Sequence, residues 1–85
     1  MIVSFTQPAF EDYQNWARSD KTVFKKINSL IKEILRTPFI GTGKPEPLKN
    51  ELSGFWSRRI TEEHRLVYKV EKDELLIASC KYHYE

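Results

Sequence analysis

An apolar stripe at helical spacing constrains the fold more than any other feature of this sequence. Between Asp20 and Pro38 the apolar residues recur at steps of three and four, which places them on one face of a helix and leaves the lysines outside. Asp20 can cap this helix, and the helix must end before Pro38, because a residue preceding proline is pushed out of the helical region. The stripe consists of Val23, Phe24, Ile27, Leu30, Ile31, Ile34 and Leu35.

The other segments predict a second helix and a sheet. Residues 1–5 favour a strand, and Thr6-Gln7-Pro8 suits the start of a helix that ends near Ser19. Three further strand-like segments cover 55–60, 65–70 and 75 to about 83. The predicted order is β-α-α-β-β-β, an α+β fold with two helices packed on a mainly antiparallel sheet. Because a chain of 85 residues has room for one core, we expect residues 1–85 to form a single domain.

Several classes of protein are excluded by what the sequence lacks. No apolar run approaches the roughly 20 residues of a membrane span, and the first residues do not resemble a signal peptide, so we expect a soluble, cytoplasmic protein without membrane contact. The lone Cys80 has no cysteine partner, and no Cys or His pair has zinc spacing. We therefore predict a packed thiol, no metal and no cofactor.

The basic residues are concentrated in the centre of the chain. The net charge is only +2, but residues 36–69 carry seven basic and four acidic side chains. This excess is common on ordinary surfaces, and it also suits a phosphate backbone. The same region contains residues 37–47, which hold three of the four prolines and two of the three glycines and therefore form a stiff loop.

Several side chains together supply the parts of a metal-free ribonuclease. Arginines offer planar donors to a phosphate, histidine moves a proton near neutral pH, and a carboxylate accepts one. If Leu66 pairs with Ala78, then Arg65, Lys81 and His83 project from one side of the sheet. Each residue alone is more typical of a solvated surface, and Trp56 fits either the core or a base-stacking platform. The candidates are Lys44, Glu46, Lys49, Arg58, Arg59, Arg65, His83 and Tyr84.

Four runs of the sequence resemble the YoeB (Txe) family of bacterial toxins in the RelE superfamily. They are Thr37–Phe39, Gly43–Lys49, Leu52–Tyr68 and the closing Lys81–Tyr84, and together with the pattern around residues 12–28 they cover essentially the whole chain. The resemblance implies a RelE-like microbial ribonuclease fold and the toxin half of a type II toxin–antitoxin pair. It also implies cleavage of mRNA in the ribosomal A site, silencing by a YefM-like antitoxin, and a homodimer.

The resemblance also implies roles for individual residues. Glu46 would be the general base, His83 the general acid, and Arg65 would stabilise the phosphorane. Tyr84 would position the substrate, with Lys49 and Arg59 assisting at the phosphate. Two alternatives stay open at this point. The first is a toxin of the same fold that binds a protein such as gyrase, and the second is a non-catalytic module that binds RNA or the ribosome.

Overall fold

Two helices lie on one face of a five-stranded sheet in the computed structural model, which describes residues 1–82. The strand order is β1-β5-β4-β3-β2, with β1 parallel to β5 and the other neighbours antiparallel. This confirms the predicted α+β class and adds a two-residue strand, β2, inside the predicted loop. The elements are β1 (Ile2–Phe5), α1 (Gln7–Ser19), α2 (Lys21–Arg36), β2 (Glu46–Pro47), a 3₁₀ helix (Asn50–Leu52), β3 (Trp56–Arg59), β4 (Arg65–Glu71) and β5 (Glu74–Ser79).

Both helices begin where the sequence supplies a cap. The Thr6 hydroxyl accepts a hydrogen bond from the Ala9 N–H at 3.3 Å, and the Asp20 carboxylate accepts from the N–H groups of Thr22 and Val23 at 3.1 Å each. The Asp20 N–H also donates to the Trp16 carbonyl, which closes α1. One aspartate therefore ends the first helix and starts the second, as helix-capping chemistry predicts.

The apolar stripe of α2 packs against the sheet as predicted. Four of its residues are buried, and they meet the core side chains of β4 and β5, while Trp16 of α1 donates its indole N–H to the Cys80 carbonyl at 2.9 Å. This core covers one face of the sheet, and the helices leave the other face uncovered. Its central members are Ile27, Leu30, Ile34, Leu66, Tyr68, Leu75 and Ile77.

A β-bulge interrupts the pairing of β4 with β5. Val67 pairs with Ser79, but the next residue, Tyr68, pairs with Ile77, so Ala78 has no partner directly opposite. An extra residue of this kind reverses the alternation of side chains beyond it. The strand itself ends at Ser79, whereas the sequence predicted a strand to about residue 83.

The bulge explains why the last strand departs from the register and the alternation of a regular strand. The pairing of Leu66 with Ala78, which was the condition for placing Arg65, Lys81 and His83 on one side, does not form. The observed register differs from it by two residues at Val67 and by one at Tyr68. Simple alternation also places Cys80 on the face opposite Leu75 and Ile77, yet all three side chains are fully buried in the same core. Cys80 is a packed thiol as predicted, but it reaches the core through the bulge.

Candidate active site

A cleft lies on the face of the sheet that the helices leave uncovered. The β4 residues that alternate with its core residues point to this face, and the register pairs Arg59 with Arg65 and Ser57 with Val67. The cleft has a volume of about 190 Å³. It is lined by Lys44, Glu46, Leu48, Ser57, Arg59, Arg65 and Val67.

Glu46 reaches the cleft because β2 ties the loop to the sheet. Glu46 pairs with Ser57, and the Arg59 N–H donates to the Gly43 carbonyl at 2.6 Å. Gly43 has a φ of +83°, a conformation that favours glycine. The carboxylate therefore extends from an anchored strand, while its side chain stays exposed to solvent.

Arg65 is held at the start of β4 by the turn that precedes it. Its Nη1 donates to the carbonyl oxygens of Thr61, Glu62 and His64 at 2.8, 3.0 and 3.1 Å. Three acceptors on one nitrogen fix the plane of the guanidinium group, which has further N–H donors on its other nitrogens. The sequence did not predict that this turn supports Arg65.

The charged side chains that line the cleft are mostly cationic. Lys44, Arg59 and Arg65 oppose the single carboxylate of Glu46. Such a concave positive surface attracts phosphate, and fixed guanidinium groups stabilise negative charge that develops during a reaction. The arrangement brings together one possible proton acceptor and three groups suited to a phosphorylated ligand.

Arg58 was predicted to bind phosphate, and the structure shows that this is wrong. Its side chain is fully buried on the helix side of the sheet. Nη1 pairs with the Glu33 carboxylate and donates to the Thr42 carbonyl, while Nη2 donates to the carbonyls of Thr37 and Ile40. Arg58 therefore fastens the loop after α2 to the sheet, because alternation along β3 turns it away from the cleft.

The Glu33 carboxylate, which pairs with Arg58, receives further hydrogen bonds from the same loop. The Thr42 N–H and hydroxyl donate to the Glu33 carboxylate, which Arg58 contacts as well. The hydrogen bond from the Thr42 backbone, more than the charge of Arg58, lowers the pKa of the Glu33 carboxyl from its ordinary value. Glu33 consequently stays ionised as the counter-ion of a buried arginine.

The remaining predicted residues lie apart from the cleft lining or outside the described residues. Lys49 is exposed at the start of the 3₁₀ helix and does not line the cleft. Trp56 packs against the core and stacks on Phe39 with ring centroids 4.7 Å apart, which favours the core interpretation over a base-stacking platform. His83 and Tyr84 fall outside residues 1–82 and have no described position.

Cys80 does not provide a nucleophile. Burial, with a smaller contribution from the charge of Asp12, raises the pKa of the Cys80 thiol to about 12, and the thiol lies 3.5 Å from the Ala9 carbonyl. Within the described part of the chain, no three His, Cys, Asp or Glu residues are grouped so that they could hold a metal ion. No helix formed by residues 1–82 is long and apolar enough to cross a membrane.

Sequence reasoning missed three residues that shape the cleft. Leu48 and Val67 provide apolar surface, and Ser57 lies next to Glu46 in the sheet. Val67 and Ser57 are almost completely buried although they face away from the helices. The alternation of β3 and β4 could have indicated both of them, because each is two residues from an arginine of the cleft on the same strand.

Comparison with known proteins identifies relatives along the whole chain. The model of a family described as the YoeB-like toxin of bacterial type II toxin–antitoxin systems matches residues 5–84. Toxin YoeB of Escherichia coli strain K12 is 62% identical over 84 residues, which is 99% of this chain and 100% of the relative.

Solved structures agree with this match. A YoeB/ParE toxin from Agrobacterium tumefaciens is 48% identical, with a TM-score of 0.96 over 99% of this chain and 100% of the other. The YoeB of Staphylococcus aureus is 52% identical over 99% of this chain and 98% of the other. It is solved as a dimer, with a TM-score of 0.93, and as a heterotetrameric YoeB–YefM complex, with a TM-score of 0.92.

Proposed function

The chain belongs to the YoeB-like toxin family of bacterial type II toxin–antitoxin systems, and from this premise we propose that it is an endoribonuclease. Its substrate is mRNA in the A site of the ribosome, and cleavage of that mRNA inhibits translation. The observation that carries the proposal is the meeting of Glu46 with Lys44, Arg59 and Arg65 in one cleft. Such a cleft offers a proton acceptor beside cations suited to a phosphodiester.

The reaction is general acid–base catalysis without a metal ion. Glu46 takes the proton of the 2′-hydroxyl, the 2′-oxygen attacks the phosphorus, and Arg65 stabilises the charge of the phosphorane. His83 gives a proton to the departing 5′-oxygen. The products are a 5′-hydroxyl end and a 2′,3′-cyclic phosphate, which hydrolyses to a 3′-phosphate. Tyr84 positions the substrate, and the phosphate-binding cations are Lys44, Lys49 and Arg59.

The partners of the toxin follow from the same premise. Because the YoeB of S. aureus is solved with YefM and as a dimer, we propose a YefM-like antitoxin and a homodimer for this chain. An acidic antitoxin segment that folds along the cationic cleft would block it. The toxin acts in the cytoplasm, where the ribosomes are.

Replacement of the acid and the base tests this proposal. Glu46→Gln and His83→Ala should each slow cleavage of a translated mRNA by about 10²–10⁴-fold, the usual contribution of a positioned acid or base. Glu71 provides a matched control, since it is an exposed carboxylate at the far end of β4 and lies outside the cleft lining. Primer extension with and without ribosomes measures the cuts. Unchanged cutting by the Glu46→Gln toxin would refute the proposal.

A further inference from the structure

His64 makes contacts that the proposed mechanism does not use. Its side chain is only 12% exposed, and its ring packs against Trp16 and Tyr82 with centroids 4.9 and 5.6 Å away. The Tyr82 N–H donates to His64 Nδ1 at 2.8 Å. This bond spans the gap between the turn before β4 and the end of the described chain.

Tyr82 is held from two sides in an uncommon backbone conformation. Its φ is 59°, in the left-handed region that bulky residues seldom adopt. The Arg65 N–H donates to the Tyr82 carbonyl at 2.8 Å, so adjacent residues of the turn and β4 bind both backbone groups of Tyr82. We call this arrangement of His64, Arg65 and Tyr82 the C-terminal clasp. Tyr82 lies three residues beyond the end of β5, so the clasp is not part of the regular pairing of β4 with β5.

We propose that His64 is a positioning residue for His83, the proposed general acid. Tyr82 is bonded directly to His83, so a fixed Tyr82 fixes the backbone atom to which the proposed general acid is attached. The inference rests on the proposed function, since it assigns His64 to the placement of the proposed general acid. His64 acts through Tyr82 and touches no substrate itself.

The clasp requires one tautomer of His64. A backbone N–H can donate to Nδ1 only when that nitrogen carries no proton, so the proton of the neutral ring lies on Nε2. The Glu63 carboxylate lies 3.6 Å from Nε2, which favours a proton on that side. Two charged side chains lie next to His64. The Glu63 carboxylate is near Nε2, and the Arg65 guanidinium donates to the His64 backbone carbonyl.

Two substitutions separate the acceptor of His64 from its ring. His64→Phe keeps an aromatic ring against Trp16 but has no acceptor, whereas His64→Asn offers a side-chain oxygen near the position of Nδ1 and has no ring. Amide hydrogen exchange of Tyr82 reads the clasp directly, without reference to activity. We expect His64→Phe to reduce protection of this amide about tenfold and His64→Asn to retain most of it.

Cleavage by the same variants tests the positioning role. His64→Phe should lower the single-turnover rate about 10- to 100-fold at saturating substrate, with a much smaller change in affinity, and His64→Asn should restore most of the rate. In a background that lacks both groups, His83→Ala with Tyr84→Phe, His64→Phe should have almost no further effect, because the groups it positions are gone. If His64 had a purely structural role, the full loss of rate would appear in both backgrounds. If His64→Asn lost as much rate as His64→Phe, the Nδ1 acceptor would not be the positioning group, and the proposal would be overturned.

A measurement on the unmodified toxin keeps the test independent of folding in the variants. The ¹⁵N shifts of His64 should show an unprotonated, hydrogen-bonded Nδ1 and a protonated Nε2. A protonated Nδ1, or a His64→Phe toxin with unchanged Tyr82 protection, would overturn the clasp. If the wild-type toxin cuts no RNA, the proposed function is wrong. The ¹⁵N shifts of His64 and the hydrogen exchange of the Tyr82 amide still test the clasp in that case.

Discussion

Arg58 and Arg59 are neighbours in the chain, yet they point to opposite faces of the sheet because β3 alternates. Arg58 is fully buried and bonded to Glu33 and to backbone carbonyls of the following loop, whereas Arg59 is exposed beside the cleft. Side-chain type alone suggested the same role for both. The buried position of Arg58 was not predictable from neighbouring residues, because its acceptors lie 10 to 25 residues away in sequence.

Substitution of the two arginines should therefore have opposite consequences. Arg58→Met should lower the free energy of unfolding by about 2–3 kcal/mol, because it removes a fully buried donor that bonds three loop carbonyls and the Glu33 carboxylate. Arg59→Met should change it by no more than about 0.5 kcal/mol and instead slow cleavage. Urea unfolding followed by circular dichroism measures both variants, and similar losses of stability in the two would contradict the assignment.

Cys80 gives a second prediction at the level of single residues. Because burial raises the pKa of its thiol to about 12, the folded protein holds almost no thiolate at about pH 8.5, where an exposed thiol is half ionised. A thiol-specific reagent should label Cys80 far more slowly in the native protein than in urea. Equal labelling rates in the two states would show that the thiol is not buried as described.

Among the elements, the helices were more predictable than the sheet. The limits of α1 and α2 depend on local signals, such as Thr6, Asp20 and Pro38, which act within a few residues. The bulge at Ala78 and the pairing of Glu46 with Ser57 depend on contacts between distant parts of the chain. Sequence alternation therefore identified the strands but missed the register and the two-residue strand that anchors the loop carrying Glu46.

The loop glycines test how strictly that strand positions Glu46. Gly43 and Gly54 both have positive φ values, 83° and 98°. A Cβ on Gly43 would meet the Arg59 carbonyl oxygen at 3.0 Å, whereas one on Gly54 would meet only the flexible Lys69 side chain at 3.7 Å. Gly54→Ala should cost about 1–2 kcal/mol from backbone strain, and Gly43→Ala should cost more.

The same pair of variants should also differ in cleavage. Gly43→Ala must move the backbone that anchors β2, so it should slow cleavage under conditions where the protein is still fully folded. Gly54→Ala should leave the cleavage rate within a few-fold of wild type after correction for the folded fraction. Equal rates in the two variants would mean that the Gly43 contact does not set the position of Glu46.

The protein has a net charge of only +2, yet three of the four charged side chains that line its cleft are cationic. The resemblance and the residue types anticipated the meeting of Glu46 with Arg65, and the structure brings them together. An acidic antitoxin segment in this cleft should increase amide protection at Arg65 and Val67, and the effect should weaken as salt rises. Hydrogen exchange with antitoxin bound measures this, and protection confined to α1 and α2 would argue against a cleft-bound segment.

Glu46 and His83 have different proposed roles, as base and acid, and an RNA with sulfur at the leaving 5′ position distinguishes them. Sulfur leaves without needing a proton, so a toxin that lacks only its general acid should regain its rate on this substrate. We predict that His83→Ala recovers most of the wild-type rate and that Glu46→Gln stays slow. Rescue of Glu46→Gln, or no rescue of His83→Ala, would contradict the proposed roles of base and acid.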